Sequence, residues 1–478
     1  MKKQSQETAL IFSKKDVDSL LSEYRRRLSS LEDQVVTLTK QLALKDVQIA
    51  VLQARVIELE AALSAPKKTS KNSSSRSSSD YKPNKPDDDN APKQLRTGHG
   101  KGGRTLHPNP GQTLNLKPTK CLDCGRSLEE EDQQLHASYD KIELPEVSPI
   151  VTRVHLYRCR CKKCGHFSIA PAPVGYEPGT PFTNSVSKEI IDLKYNHFMS
   201  YKRLSRYMTD RFSISVSQGA IAGVFKRHKD CFDVRVSEIY DRIRKARLVC
   251  SDETSARVRG KNEWEWVFQN EKVCLHVIRP CRGAKVVEEV MAGHRPQFWV
   301  SDLYSAQQNH AQEWQVCLSH QVRDCEYAIQ EGDVFFAWKL KLLFLKAIAI
   351  HRRRHRPVVK NNHHKFREVL DKRLQEILKF EPETPSGRKL KKRYLKHGIH
   401  LFTFLEDPQA IPPTNNGSER AIRMSTIYRR VTGGFRSDWG KDFFASVRSV
   451  VNTGQRQNLT PRQSIARAIG AEPTFFLA

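Results

Sequence analysis

Apolar residues recur every seven positions near the start of the chain: Leu21, Leu28, Val35, Leu42, Ile49, Val56 and Leu63. Tyr24, Leu31, Leu38, Leu52 and Leu59 fill a second seam that only Lys45 interrupts. A repeat averaging 3.5 residues keeps one apolar stripe turned toward a partner helix, so residues 1–64 are expected to form a coiled coil through which the chain self-associates. The competing reading is a single amphipathic helix laid on its own globular domain. The apolar pattern then stops. Serines on either side of Arg76, the Lys82-Pro83 and Lys85-Pro86 pairs and the Asp87–Asp89 run cannot bury apolar surface, and residues 65–118 read as a disordered linker whose end, Arg96 to Arg104, is basic and glycine-rich.

Periodicity returns further on. Ile142 to Val154 alternates as a strand does, inside a small region spanning 119–180. Residues 181–240 read as helical: Tyr201 to Phe212 gathers Leu204, Tyr207, Met208 and Phe212 on one side, and after a break a second helix opens at Ser217–Ile221 and runs to Lys226-Arg227-His228. This pair fits a helix-turn-helix entering a major groove and a purely structural helix pair equally well. From Arg247 the period changes to that of strands. Leu248–Ser251, Trp264–Phe268 and Val273–Ile278 are expected strands, Ala284–Met291 a helix, Phe298–Ser301 a strand, then a short helix, a strand at Trp314–Leu318 and a helix from about His320. Three strands in a meander followed by strands reached through helical crossovers is the order of an α/β ribonuclease H-like domain. Its parts would be 241–330 and 411–456, separated by a helical basic insertion at 331–410 with helices at Val334–Ile350, Asn361–Phe380 and Pro385–Phe404, and followed by a tail at 457–478.

Charge narrows the partner. The formal net charge of +28 suggests a polyanion, nucleic acid before a membrane surface. No apolar run is long enough to span a bilayer and no signal-peptide core follows Met1, which implies a cytoplasmic protein. The insertion carries much of the charge, at His351–Arg356 and Arg388–Arg393. Such runs are solvated faces or, with this excess, non-specific phosphate contacts.

Cysteines add a second kind of chemistry. Cys121 and Cys124 form one C-x-x-C pair and Cys161 and Cys164 another, each followed by a glycine (Gly125, Gly165) that permits the tight turn in which two thiolates face one ion. Four thiolates suit one tetrahedral Zn²⁺ in a knuckle that staples a small domain or also touches DNA. Cys159 is an alternative ligand to one of these four.

Acids mark the catalytic candidates. Leu-Val-Cys-Ser precedes Asp252 and Phe-Trp-Val-Ser precedes Asp302, so two matching strands each end in an aspartate. Such carboxylates can converge on Mg²⁺ or Mn²⁺, which prefer oxygen ligands, although either aspartate taken singly reads as a turn residue. Glu253 adjoins Asp252, but successive strand residues point to opposite faces, and Asp252 is taken as the inward one. A later carboxylate, Glu419, follows Asn415-Asn416-Gly417-Ser418, where Asn416 as N-cap with Glu419 three residues on also fits a capping box.

Taken in order, Ser251–Thr254, Ser301–Tyr304, Cys317–His320 with Arg323-Asp324, Asn415–Arg420 and Gly433–Ser437 resemble the insertion sequence 66 family of bacterial DDE transposases, as do the N-terminal heptads, the Lys-Asn-Ser linker and the cysteine pairs. The resemblance implies that Asp252, Asp302 and Glu419 form a catalytic, metal-binding triad holding two Mg²⁺ or Mn²⁺ for DNA strand cleavage and strand transfer. It makes DNA, both element ends and target, the partner, and leaves room for accessory proteins of the same element. His320, Arg323, Arg420 and Arg423 are then candidates for phosphate binding, with His320 equally readable as a core histidine. Asn415 and Asn416 would hold the backbone or reach DNA. The rival expectation is a zinc-containing DNA-binding regulator or a transposase remnant that binds without cutting.

Overall fold

The computed structural model describes residues 14–64, 66, 68–69, 72 and 105–471 of the 478. The heptad region is one long helix, α1 (Lys14–Ser64). Its described seam residues, Leu21, Leu28, Val35, Leu42, Ile49 and Val56 among them, are exposed, so α1 does not lie with that face on the globular part of its own chain. Most of the expected linker falls outside the described residues. At its start, however, Asn72 is buried, donating from Nδ2 to Gln330 Oε1 at 2.6 Å, and the Lys68 ammonium stands over the Tyr327 ring. That point of the linker is attached rather than free.

Between 105 and 183 regular structure is sparse: two three-residue strands, β1 (Arg158–Arg160) and β2 (Phe167–Ile169), pair antiparallel around the second cysteine loop. The strand expected at Ile142–Val154 is absent. Ile142, Leu144, Ile150 and Val151 are exposed, and without a second layer to cover them their alternation has nothing to pack against.

The core begins at α2 (Asn184–Tyr195), α3 (Tyr201–Phe212) and α4 (Gln218–Ile243). Ser200 and Ser217 cap α3 and α4 through their hydroxyls, and Ser213 in the left-handed region ends α3. α4 is far longer than the short second helix expected, because apolar residues continue past His228 at Phe232, Ile239 and Ile243, all buried. Most of its length is a packed scaffold helix.

The sheet follows in the expected order. β3 (Leu248–Val258), β4 (Lys261–Gln269) and β5 (Cys274–Arg279) make an antiparallel meander; α5 (Lys285–Met291) leads to β6 (Phe298–Ser301), and the short helix expected next is a three-residue 3-10 helix, Ser305–Gln307, before β7 (Glu313–Val316). The strand order β5-β4-β3-β6-β7, with β6 and β7 parallel to β3, is that of a mixed α/β domain consistent with a ribonuclease H-like fold. Trp266, Phe268, Trp299 and Val300 are fully buried in it.

Helices flank the sheet. α6 (Leu318–Gln330) leaves β7, and the insertion contributes α7 (Phe336–Arg352), α8 (Pro357–Leu378) and α9 (Pro385–His397). Two boundaries differ from expectation. α8 starts earlier, with Pro357 in its first turn, where a missing N–H costs nothing. α9 ends at His397, and the following Leu401, Phe402, Phe404 and Leu405 are buried in 3-10 turns. There Gln315 donates to Leu401 O and accepts from Phe404 N, and Thr403 Oγ1 donates to Trp314 O, so this stretch covers the edge strand β7. α10 (Asn416–Thr432), α11 (Asp438–Arg456) and α12 (Pro461–Ala468) complete the domain. The expected tail from 457 is therefore structured at its start: Thr460 and Gln463 form a capping box, and Ile465 and Ile469 are buried. Among the described residues no helix is long and apolar enough to cross a membrane.

Candidate active site

β3 and β6 run parallel with Leu248 opposite Phe298, Val249 opposite Trp299 and Cys250 opposite Val300. Continued by two positions, this register sets Asp252 level with Asp302 on two adjacent central strands. Asp302 directly follows β6, but β3 does not end at Asp252 as expected: it runs on to Val258, held by its antiparallel pairing with β4. Both aspartates are half-buried. Asp252 Oδ1 accepts from Glu253 N at 2.9 Å, and Asp302 Oδ1 accepts from Tyr304 N at 3.0 Å. Ser251 and Ser301 beneath them are fully buried, the latter accepting from Trp314 Nε1.

Glu253 points the other way, as strand geometry requires. It is buried, accepts from Arg282 at 2.8 and 3.1 Å and from Gln307 Nε2 at 2.8 Å, and Arg282 is sandwiched against the rings of Tyr304 and Trp264. A buried carboxylate so fully matched has a structural role.

Glu419 sits in the first turn of α10. The capping-box reading does not hold: the helix N-cap is Asn415, not Asn416, and its side chain makes no cap hydrogen bond. The Glu419 carboxylate instead accepts from Arg323 at 3.1 Å and lies 3.6 Å from His320 Nε2. His320 also feels the negative charge of Asp252. One imidazole at the start of α6 thus has Glu419 on one side and Asp252 nearby, which brings the third acid toward the first.

His320 is buried, and burial by itself would depress its basicity. The Cys317 thiolate beside it, through charge and a hydrogen bond, outweighs this and lifts the imidazole to about 10. Burial pushes the Cys317 thiol up, and His320 with the backbone N–H groups of Asn415 and His320 brings it below its usual range. Charge and hydrogen bonding from Cys317 thus favour the protonated imidazole against burial. Cys317 entered the sequence reading only as part of the Cys317–His320 motif, with no role of its own; the Cys-Leu-Ser-His spacing, one turn at a helix start, was the available signal.

The remaining candidates divide. Asn416, Arg420, Arg423, Ile427 and Arg430 are exposed at four- and three-residue spacings, one continuous face of α10 that starts beside Glu419. Asn416 also accepts from Ser319 Oγ. Arg429 is turned inward to Ser255. Asn415, by contrast, is buried and bonded to Ser251 O at 2.7 Å, so it does not reach a DNA surface.

The cysteine loops fold locally as expected. Gly125 N donates to Cys121 O and Gly165 N to Cys161 O, both at 2.9 Å, and both glycines have positive φ. Backbone N–H groups of Cys124 and Asp123, and of Cys164 and Lys163, lower the Cys121 and Cys161 thiols. The two loops are not joined into one four-thiolate set. Among the described residues no group of three or more His, Cys, Asp or Glu side chains is gathered closely enough to hold a metal, at the cysteines or at the acids. For the cysteines the physical reason is plain: the exposed stretch between the loops, with only the three-residue β1 at its end, supplies no core to press them together.

A sequence profile described as Transposase IS66 family matches residues 179–442, more than half of the chain. The chain belongs to that family. No curated protein matches it. The span that matches the IS66 profile takes in α3, α4, the whole sheet, the helical insertion and α10, and so contains all three acids.

Proposed function

We propose that this protein is an active DDE transposase that binds the ends of a mobile element and performs DNA strand cleavage and strand transfer at Asp252, Asp302 and Glu419. The observation that carries this reading is the shared level of Asp252 within β3 and Asp302 just after β6, with Glu419 brought near them through His320. An all-oxygen donor set suits Mg²⁺ or Mn²⁺. Two such ions held by these carboxylates would supply activation of the attacking oxygen and stabilisation of the leaving oxygen.

The chain's own groups do the rest. Arg323 and His320 border Glu419 and offer donors to the phosphate being cut or its neighbour. The exposed arginine face of α10, Arg420, Arg423 and Arg430, extends from the site and binds flanking phosphates without reading sequence. Cys121, Cys124, Cys161 and Cys164 hold one Zn²⁺ that joins the two loops, with Cys159 the alternative ligand. The exposed heptad face of α1 pairs with a second copy of the chain, placing two catalytic domains in one assembly.

The test is divalent-metal-dependent nicking and joining of DNA carrying the element's own ends. Metal-dependent cleavage abolished by Asp302→Asn supports the proposal; cleavage that survives Asp302→Asn overturns the triad. A second reading, a DNA-binding remnant that does not cut, draws on the spacing of the acids, which are not gathered into a ready ligand cluster. Tight binding with no cleavage in Mg²⁺ or Mn²⁺ would establish it.

A further inference from the structure

The buried Asn415 is bonded to the segments that carry Asp252, His320 and Glu419. It is 1 % exposed. Its Nδ2 donates to Ser251 O at 2.7 Å, its Oδ1 accepts from Ser418 Oγ at 2.6 Å, and its backbone N–H donates to Cys317 Sγ at 3.1 Å. Its carbonyl accepts the backbone N–H groups of Ser418 and Glu419. Ser418 Oγ in turn accepts from Gln269 Nε2 at 2.9 Å, and Leu318 N donates to Pro413 O. These bonds reach β3 one residue before Asp252, β4 at Gln269, the start of α6 three residues before His320, and the backbone of Glu419 itself.

Two features mark this as more than a helix start. An asparagine serving only as an N-cap turns its side chain to the free N–H groups of the first turn. Asn415 leaves those groups and spends its amide on the strand instead. The amide orientation is also fixed by chemistry, because Ser251 O can only accept, so the NH₂ must face it. Gly417 belongs to the same fastening: a Cβ there would stand 2.7 Å from Gln269 Nε2, closing the space the Gln269–Ser418 bond uses.

We propose that Asn415 is a positioning residue, a clasp that fixes the distance between Glu419 on α10 and Asp252 on β3 and so sets the affinity of the acids for a divalent cation. The inference rests on the reading of Asp252, Asp302 and Glu419 as the metal-holding set. It predicts that losing the clasp loosens metal binding before it loosens DNA binding, since Asn415 itself has no exposed surface to offer a phosphate.

The experiment uses the purified full chain. Mn²⁺ binding without DNA is followed by electron paramagnetic resonance, together with the Mn²⁺ dependence of end cleavage, DNA affinity without metal, and thermal unfolding. Glu419→Gln serves as the benchmark. Asn415→Ala is expected to weaken Mn²⁺ binding about 10-fold or more and to raise the half-saturating Mn²⁺ for cleavage in parallel, with DNA affinity unchanged within about twofold. Ser418→Ala, which keeps the bond to Ser251 O but frees the amide to turn, is expected to show a smaller shift of the same kind, and it decides the matter if Asn415→Ala fails to fold. If Glu419→Gln weakens Mn²⁺ binding while the folded clasp variants bind as the parent does, losing only thermal stability, the clasp is purely structural and the proposal falls. If Glu419→Gln itself leaves Mn²⁺ binding and cleavage intact, the triad reading fails instead.

Discussion

The three acids and the cysteine segment pose the same physical problem on different frames. In both, ligand-type residues far apart in sequence must converge. Asp252, Asp302 and Glu419 are drawn to one end of the domain because β3, β6 and α10 are each pinned by buried partners, Trp299 and Phe268 in the sheet and Asn415 and Ser418 at the helix start. The loops at Cys121 and Cys161 form equally well locally, with the same hydrogen bond closing each, yet Cys124, Cys159, Cys161 and Cys164 remain exposed. Among the described residues neither set is gathered closely enough to hold a metal; what differs is the buried frame behind the acids. A local turn costs one glycine. Convergence across tens of residues must overcome chain entropy, which either a hydrophobic core or coordination bonds can offset.

The comparison breaks most visibly at the cysteines. One Zn²⁺ per chain is expected, and its coordination should contribute on the order of 10 kcal/mol of local folding free energy. Cys124→Ser or a strong chelator should expose residues 119–180 to rapid proteolysis and leave the unfolding of the sheet domain unchanged. Metal analysis combined with limited digestion checks this, and a segment equally protected with and without zinc would contradict it.

At the acids the opposite pattern is expected. Asp252→Asn, Asp302→Asn and Glu419→Gln should each lower end cleavage by about 10³-fold, several kcal/mol of lost transition-state stabilisation, while zinc content and the unfolding midpoint stay as in the parent. Single-turnover cleavage assays and calorimetry read the two halves of that statement.

Packing comes next. Trp299 is 1 % exposed and lies across the sheet from Phe268, so Trp299→Ala should cost about 3–5 kcal/mol of domain stability. Zinc bound at the cysteines should be unaffected. Urea denaturation with zinc content as a second readout separates the two regions.

The smallest expected effect is a pH dependence confined to the packed domain. Burial, with Arg227 adding to it, depresses His228 to about 4. The unfolded chain therefore binds a proton that the folded one refuses between about pH 6.5 and 4, so stability is full above that window and falls as pH drops through it. Discounted for partial solvation, the loss at pH 5 is about 1 kcal/mol, or roughly 2–4 °C in midpoint. His228→Gln should flatten this part of the profile; an unchanged slope between pH 6.5 and 5 would exclude His228 as its source.

Much of the fold was legible because its signals are local. The strand end before Asp302, the heptads of α1 and the meander-then-crossover order each depend on periodicity within a few residues, and α1 and the sheet follow them. The matching end expected at Asp252 did not form, because β4 pairs β3 as far as Val258. Ile142–Val154 carried the same kind of alternation and formed no strand, because alternation expresses a preference that only a covering layer can satisfy.

What the sequence by itself determined, then, is which residues can bear charge, bind metal or line a helix face: three acids, four paired cysteines, the arginines of α10 and an apolar stripe along α1. Tertiary structure alone decided which of them meet and what they do there. It turned Glu419 away from capping and toward Arg323 and His320, buried Glu253 against Arg282, and converted Asn415 from a surface candidate into a buried link between β3 and α10. The reason is that these outcomes depend on contacts between residues some tens to more than a hundred and fifty positions apart, and nothing local in the chain encodes which distant partner a side chain will face.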